Sequence, residues 1–131
     1  MSTDIRFGTD GWRAEIGFGF NEDNLKRLMH SVGKRVNDMV DGRAHVCVGY
    51  DTRFQAKEFA STAVECLISE GCHALLSQNF CPTPSLSLGV IKTEADLGVQ
   101  ITASHNPHTY LGVKLKGSNG GPLKAGIISQ I

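Results

Sequence analysis

The 131-residue sequence lacks several features that would place it in a specialised class of protein. Its 13 basic and 13 acidic residues cancel, so no excess charge points to nucleic acid or an anionic membrane as a partner. No apolar run approaches the roughly 20 residues that a membrane-spanning helix needs. Residues 1–7 carry two charges and no apolar stretch, which argues against a secretory signal. We therefore expect one globular, cytoplasmic domain over residues 1–131.

The four cysteines, at positions 47, 66, 72 and 81, contain no CxxC pair. That spacing excludes a zinc ribbon and a thioredoxin-type redox pair. Cys47 and Cys66 lie in apolar runs, where a free thiol behaves as a small buried hydrophobe. The pattern favours a reducing compartment such as the cytosol.

Acidic residues are missing from one end of the sequence. Residues 97–131 contain Lys114, Lys116 and Lys124 but no Asp or Glu, whereas residues 1–96 contain all 13 acids. Chance in a glycine-rich stretch is one explanation. The other is a segment that faces an anion, and composition alone leaves both open.

The apolar pattern switches repeatedly between helical and strand-like periodicity. Asn21 can cap a first helix, whose apolar residues recur from Leu25 to Val40 before Asp41-Gly42 ends it. We predict further helices at 55–70 and 85–92, and strands at 45–50, 73–77, 97–102 and 112–116. This order predicts an α/β fold, a three-layer α/β/α sandwich with a mixed, mostly parallel sheet of about four strands. Because a short loop precedes residues 112–116, we expect that strand to pair antiparallel at an edge of the sheet.

Polar segments lie where the predicted strands end, at residues 7–13, 49–53 and 102–107. Open α/β sheets bind ligands beyond the carboxyl ends of their strands. The first segment has two glycines and an arginine, which suit an anion, although it is neither a Walker A loop nor a GxGxxG motif. In the second segment we interpret Asp51 and Arg53 as a structural ion pair.

Ser104 is the candidate nucleophile of the third segment. A serine hydroxyl is weakly nucleophilic until a base or a positive field activates it, and His105, Lys114 and Arg13 could supply that field. The alternative is that the hydroxyl and amide side chains of residues 102–106 only hydrogen-bond a turn. The chemistry of the residues leaves both interpretations open.

Four segments together resemble the N-terminal domain of the α-D-phosphohexomutases, the phosphoglucomutase/phosphomannomutase superfamily. They are FGTDGWRAEIG at 7–17, VGYDTRF at 48–54, CPTPSLSLGV at 81–90 and GVQITASHNPHTYLGVKLKGSNGGP at 98–122. They follow the order and spacing of that family, and the TASHNP loop is its most specific motif. Leu111 departs from the pattern, because a polar residue is expected there.

The resemblance implies a role for each matching residue. Ser104 would be phosphorylated, pass its phosphoryl group to the sugar, and contact a Mg²⁺ cofactor through one phosphate oxygen. Arg13 would hold the serine phosphate, and Lys114 would accept the proton of the attacking sugar hydroxyl. His105 and Asn106 would help to bind the substrate, a hexose phosphate or hexose bisphosphate.

The resemblance also implies that residues 1–131 correspond to one of four domains, with the other three absent from this sequence. It contains no DxDxD metal loop, no GEESG-type sugar loop and no loop for the distal phosphate. We therefore expect the isolated chain to be inactive or very weak as a mutase, and to self-associate through surface left uncovered. The alternatives are a truncated, non-catalytic phosphate-binding or interaction domain, and a serine-dependent phosphatase. Without the sugar loop, the sequence does not distinguish glucose, mannose and glucosamine phosphates.

Overall fold

Strands and helices alternate along the part of the chain that the computed structural model describes, residues 11–17, 19–53, 55–102 and 110–123. Within it, the elements are β1 (Trp12–Glu15), α1 (Glu22–Asp38), β2 (His45–Tyr50), α2 (Ala56–Ser69), β3 (His73–Leu76), α3 (Thr83–Lys92), β4 (Leu97–Ile101) and β5 (Tyr110–Gly117). Among the helices of these residues, none has both the length and the apolar character needed to cross a bilayer.

Helix α1 begins at the predicted cap. Asn21 has extended backbone, and its side-chain oxygen accepts a hydrogen bond from the Asn24 amide at 2.8 Å. The helix ends at Asp38, earlier than predicted, and Met39 is 44% exposed rather than part of the buried stripe. The Asn37 side chain donates to the Glu70 carbonyl at 2.6 Å and accepts from the Ala44 amide at 2.8 Å. These bonds hold the turn that leads into β2. The helix therefore ends before Met39 and Val40, the last apolar residues of the predicted stripe.

Helix α3 begins at Thr83, two residues before the predicted start, directly after Pro82. Pro84 lies in its first turn, where a missing backbone N–H costs nothing because the first amides of a helix have no intrahelical acceptor. Residues 83–84, which precede the predicted helix at 85–92, therefore form its first turn.

The sheet has the strand order β1-β5-β4-β2-β3. Strands β4, β2 and β3 are parallel, whereas β5 is antiparallel to both β4 and β1. The predicted α/β sandwich with a mixed sheet is confirmed, with five strands among the described residues rather than four. The expected edge position of β5 is wrong, because β1 pairs with its outer side.

Two apolar clusters hold the layers together. The larger one lies between the sheet and helices α1 and α2, and it includes Trp12 stacked on Phe20 with ring centroids 5.0 Å apart. The smaller one lies under α3 and consists of Cys47, Leu86, Val90 and Ala95. Because β5 alternates, Leu111, Val113 and Leu115 enter the larger cluster, so the unexpected Leu111 is a core residue. Gly112, Lys114 and Lys116 therefore lie on the face that carries α3.

All four cysteines are free thiols, and Cys47, Cys66 and Cys72 are buried, which confirms the prediction for Cys47 and Cys66. Burial raises the pKa of the thiols of Cys66 and Cys72 above their ordinary value of 9.0. In the unfolded chain both thiols ionise at that ordinary value. Their contribution to stability is thus complete below pH 9.0 and is lost as the pH rises through the raised values.

We predict that a thiol-specific reagent modifies Cys81 first and leaves Cys66 and Cys72 unmodified until the chain unfolds, because only exposed thiolates react. Peptide mass spectrometry after timed alkylation measures the order. Urea midpoints measured at increasing alkaline pH should fall. Alkylation of Cys72 as fast as Cys81 in the folded chain would contradict this prediction.

Candidate functional site

The carboxyl ends of the parallel strands β2 and β4 lie side by side, with Tyr50 paired to Ile101. The residues that follow each strand are therefore neighbours. The Asp51 amide donates to the Ile101 carbonyl at 3.1 Å, and Thr102 Oγ1 donates to Asp51 Oδ2 at 2.5 Å. Two of the polar segments predicted from the sequence are thus joined directly.

Asp51 organises this edge of the sheet. Its Oδ1 accepts a hydrogen bond from the Arg53 amide at 2.9 Å, and its Oδ2 lies 3.7 Å from Arg53 Nε. The ion pair with Arg53 is the one interpreted from the sequence as structural. The bond to Thr102 was not predicted, and it fixes the chain two residues before Ser104. Asp51 therefore ties Thr102, at the end of β4, to the end of β2.

Strands β5 and β1 bring two of the predicted cations to this edge. Lys114 is half-buried and paired with Gln100, whereas Arg13 is exposed and paired with Gly112. The Gly112 carbonyl accepts a hydrogen bond from the Thr102 amide at 2.9 Å. Since Gly112 and Lys114 are two residues apart on one strand, Arg13 and Lys114 share the face that carries α3. Both cations lie near the point where the chain leaves β4.

Gly112 has no side chain, and this allows β1, which carries Arg13, to lie close to β5. A Cβ atom at position 112 would lie 2.1 Å from the Trp12 carbonyl oxygen and 2.8 Å from Arg13 Cγ. Real Cβ atoms do not come that close to backbone oxygen. The glycine is therefore needed for the β1–β5 pairing that positions Arg13.

The remaining predicted site residues, Ser104, His105 and Asn106, fall within 103–109 and lie outside the described residues. The described chain on either side of this segment is anchored on adjacent antiparallel strands, because Ile101 of β4 is paired with Val113 of β5. Arg13 and Lys114 are thus brought together by the structure. The placement of the other three stays a prediction.

Gln100 is a functional candidate that the sequence did not identify. It is fully buried, and its side-chain amide donates to the Cys81 carbonyl at 2.7 Å. A Cβ atom on its strand partner Gly49 would lie 2.5 Å from Gln100 Oε1, so the glycine makes room for the amide. Gln100 ties the start of α3 to β4 beside Lys114. The sequence feature that could have revealed it is a single polar residue inside an otherwise apolar predicted strand.

The ligands that Mg²⁺ prefers can be compared with the side-chain oxygens at the ends of β2 and β4. Mg²⁺ takes oxygen ligands that include carboxylates or phosphate. Both oxygens of Asp51 already have partners, Thr102 and Arg53. Within the described ranges, no three His, Cys, Asp or Glu side chains are grouped so that they could hold a metal ion. A Mg²⁺ ion here would need ligands beyond the described residues.

Comparison with known proteins assigns the chain to a protein family over nearly its whole length. The family model for phosphoglucomutase/phosphomannomutase, alpha/beta/alpha domain I, matches residues 4–131. A phosphoglucomutase of Staphylococcus saprophyticus is 35% identical over 122 residues, which are 91% of this chain and 22% of that protein. A Thermococcus gammatolerans protein assigned as a phosphoglucosamine mutase is 40% identical over 114 residues, 87% of this chain and 24% of its own length.

A solved structure agrees with these relatives. A Thermus thermophilus protein assigned as a phosphomannomutase superposes with a TM-score of 0.94 at 40% identity, over 99% of this chain and 29% of that one. The chain thus spans between 22% and 29% of the length of these proteins. The match of the family model over residues 4–131 agrees with the order of the motifs and with the α/β/α layers. The chain belongs to the phosphoglucomutase/phosphomannomutase family and corresponds to its α/β/α domain I.

Proposed function

We propose that this chain is the phosphoryl-carrying domain of a phosphohexomutase, in which Ser104 accepts and returns a phosphoryl group of a hexose phosphate. The observation that supports this is the convergence of Arg13 and Lys114 on one face of the sheet, beside Thr102. The Ser104 segment begins at that point. Phosphoryl transfer depends mainly on positioning and on neutralising phosphate charge, which two cations can supply.

In the proposed reaction, Ser104 Oγ attacks a phosphorus atom of a hexose bisphosphate. A bond from serine oxygen to phosphorus forms, the bond from phosphorus to the sugar oxygen breaks, and the serine proton passes to that oxygen. In the reverse direction the sugar hydroxyl attacks the serine phosphate, and Lys114 accepts the hydroxyl proton and passes it to the departing serine oxygen. In the forward direction Lys114 relays the serine proton to the sugar oxygen in the same way. Arg13 keeps its charge throughout and binds the serine phosphate, while His105 and Asn106 orient the sugar.

Mg²⁺ is the cofactor in this proposal, and bound there it would neutralise phosphate charge. Phosphorylated Ser104 would supply one ligand, and the carboxylates would come from parts of a mutase that this chain does not contain. Because the chain spans about a quarter of its relatives, efficient turnover belongs to a larger assembly. A cytoplasmic location agrees with the four free thiols.

The experiment is to incubate the chain with a hexose 1,6-bisphosphate and Mg²⁺ and to measure the intact mass. We expect a gain of one phosphoryl group, mapped to Ser104 by peptide mass spectrometry and lost in Ser104→Ala. Ser85→Ala, a change on the exposed side of α3, is the matched control and should be phosphorylated like the parent chain.

Other outcomes identify the alternatives. Steady release of inorganic phosphate without an adduct would indicate a serine-dependent phosphatase. Failure to form the adduct, even with the other domains of a mutase added in trans, would leave a non-catalytic phosphate-binding or interaction domain.

Self-association is also part of the proposal. Several large apolar side chains are exposed on the described surface, namely Ile68, Leu75, Leu76, Phe80, Leu88 and Ile91. Surface of this kind is typical of a contact with another protein or domain. We predict that the sedimentation coefficient of the isolated chain rises with concentration and that Phe80→Ser reduces the rise. A single monomeric species at all concentrations would refute it.

A further inference from the structure

Two histidines lie side by side at the amino ends of strands β2 and β3. His45 and His73 are the first residues of these parallel strands and are paired in register, so their side chains leave the sheet on the same face. Their ring centroids are 4.9 Å apart, and the ring planes differ by 30°. Because β2, β3 and β4 are parallel, the pair lies at the end of the sheet opposite the candidate site.

Both imidazole rings are accessible from solvent. His45 and His73 are exposed, and β3 is the outermost strand beside β2. Within the described ranges, neither ring forms a hydrogen bond or an ion pair, and each ring contacts the other. The ring nitrogens are therefore open to a ligand from outside the chain.

The backbone that carries the pair is fixed by hydrogen bonds. The His45 amide donates to Asp96 Oδ2, and the Asp96 amide donates to the His45 carbonyl, both at 2.8 Å. The His73 amide donates to the Ala44 carbonyl at 2.8 Å. Since only the side-chain torsions of the two histidines remain to be ordered, binding costs little entropy. The Asp96 carboxylate adds a negative charge beside the pair, which favours a cation.

The spacing of the rings fits two imidazoles that share one metal ion. A bond from zinc to a histidine nitrogen is about 2.0–2.1 Å, which puts the metal about 3.2 Å from each ring centroid. The two centroids are then about 4.5 Å apart at an N–metal–N angle of about 90°, and about 5.2 Å apart at a tetrahedral angle. The observed 4.9 Å falls between these limits. Exposed side chains change rotamer within nanoseconds, so both rings can aim a nitrogen at one ion.

Two imidazoles select a particular class of ion. Neutral imidazole suits Cu²⁺, Ni²⁺ and Zn²⁺, whereas Mg²⁺ takes oxygen ligands. In the described parts of the chain, no third His, Cys, Asp or Glu side chain joins the pair to form a metal-holding group. Water therefore completes the coordination, and we expect a lower affinity than that of a structural zinc site with four protein ligands.

We propose that His45 and His73 bind one late transition-metal ion, Cu²⁺, Ni²⁺ or Zn²⁺, through one ring nitrogen of each histidine. The site is separate from that of the proposed Mg²⁺ cofactor, both in its ligand chemistry and in its place at the amino ends of the strands. Because the ion joins the outer strand β3 to β2, its binding stabilises the folded chain. The inference does not rest on the proposed phosphoryl transfer.

The test is a calorimetric titration of the full chain at neutral pH with Zn²⁺ and, separately, with Mg²⁺. We expect one Zn²⁺ per chain at the pair and no Mg²⁺ there. His45→Gln and His73→Gln should each weaken Zn²⁺ binding at least about tenfold, a loss of about 1.4 kcal/mol. The double variant should lose little more, because either change alone destroys the chelate. His30→Gln, which removes an exposed histidine of α1, is the matched control and should bind Zn²⁺ like the parent chain.

Nuclear magnetic resonance locates the ion in the parent chain and so remains decisive if a variant does not fold. Paramagnetic Ni²⁺ should broaden the backbone amide signals of His45, His73 and their strand neighbours in the ¹⁵N-labelled chain. Zn²⁺ should also raise the urea midpoint of the parent chain but not that of the double variant. Broadening centred on Cys81, or on His105 and His108, would overturn the proposal. Two independent ions, one of which each single variant keeps at the parent affinity, would overturn it as well.

Discussion

Replacing Asp51 by alanine is expected to lower the free energy of unfolding by about 2–3 kcal/mol. The carboxylate accepts hydrogen bonds from Thr102 Oγ1 and from the Arg53 amide, and it pairs with the Arg53 side chain. Thr102 is only 5% exposed, so removing Asp51 leaves its hydroxyl in a place that water reaches poorly. Urea unfolding followed by circular dichroism measures the loss.

A double-mutant cycle isolates the hydrogen bond between Thr102 and Asp51. Thr102→Val keeps the shape of the side chain and removes the hydroxyl, at an expected cost of about 1–2 kcal/mol. Because the two residues are in direct contact, the double variant should lose about 1 kcal/mol less than the sum of the single variants. The exposed pair Glu22–Lys26, with 2.9 Å between charged atoms, is the control and should show a smaller coupling than Asp51–Thr102. Additive losses at Asp51 and Thr102 would show that the bond does not link the two strand ends.

The elements that the sequence predicted well are those whose signals are local. The strand at 45–50 matches β2 in full, and α1 begins after its predicted Asn21 cap. Both depend on apolar periodicity and on side-chain to backbone bonds within a few residues. Local patterns of this kind are read correctly without knowledge of the rest of the chain.

The elements that it missed are those that tertiary contacts decide. No strand was predicted at residues 12–15, and the first two of them fell in the polar segment 7–13. This strand was missed because it forms only when Gly112 allows the backbone of β5 to approach. The link from Asp51 to Thr102 spans 51 positions, and its register follows from the parallel pairing of β2 with β4. No window of sequence contains such information.

The residues of the candidate site also divide into those that the sequence identified and those that depend on tertiary contacts. Arg13 and Lys114 were named from the sequence as cations that could act on Ser104, and the family resemblance gave each a role. Their common face follows from the alternation of β5 and its pairing with β1. Gln100 was missed, because its importance depends on the space above Gly49. The sequence placed Lys116 in an acid-free segment and at the end of a predicted strand, but its burial is a property of the assembled sheet.

Replacing Gly112 by alanine is expected to cost about 3 kcal/mol or more, the range of severe backbone clashes. The added Cβ would lie 2.1 Å from the Trp12 carbonyl oxygen, so β1 must move away from β5. Trp12 then leaves its stacking contact with Phe20, and the larger apolar cluster loses one of its largest side chains. Thermal and urea unfolding should both show the loss.

Gly89→Ala is the matched control, because the same change meets no obstacle there. Gly89 lies inside α3, and apart from its chain neighbours and the backbone of its own helix no described heavy atom comes within 4 Å of its added Cβ. Alanine in a helix interior is favoured over glycine by about 0.5–1 kcal/mol, so this variant should be more stable than the parent chain. Similar stability changes at positions 89 and 112 would show that the close approach of β1 to β5 is not what requires glycine. Because β1 carries Arg13, Gly112→Ala should also slow phosphorylation of Ser104, while Gly89→Ala should leave it unchanged.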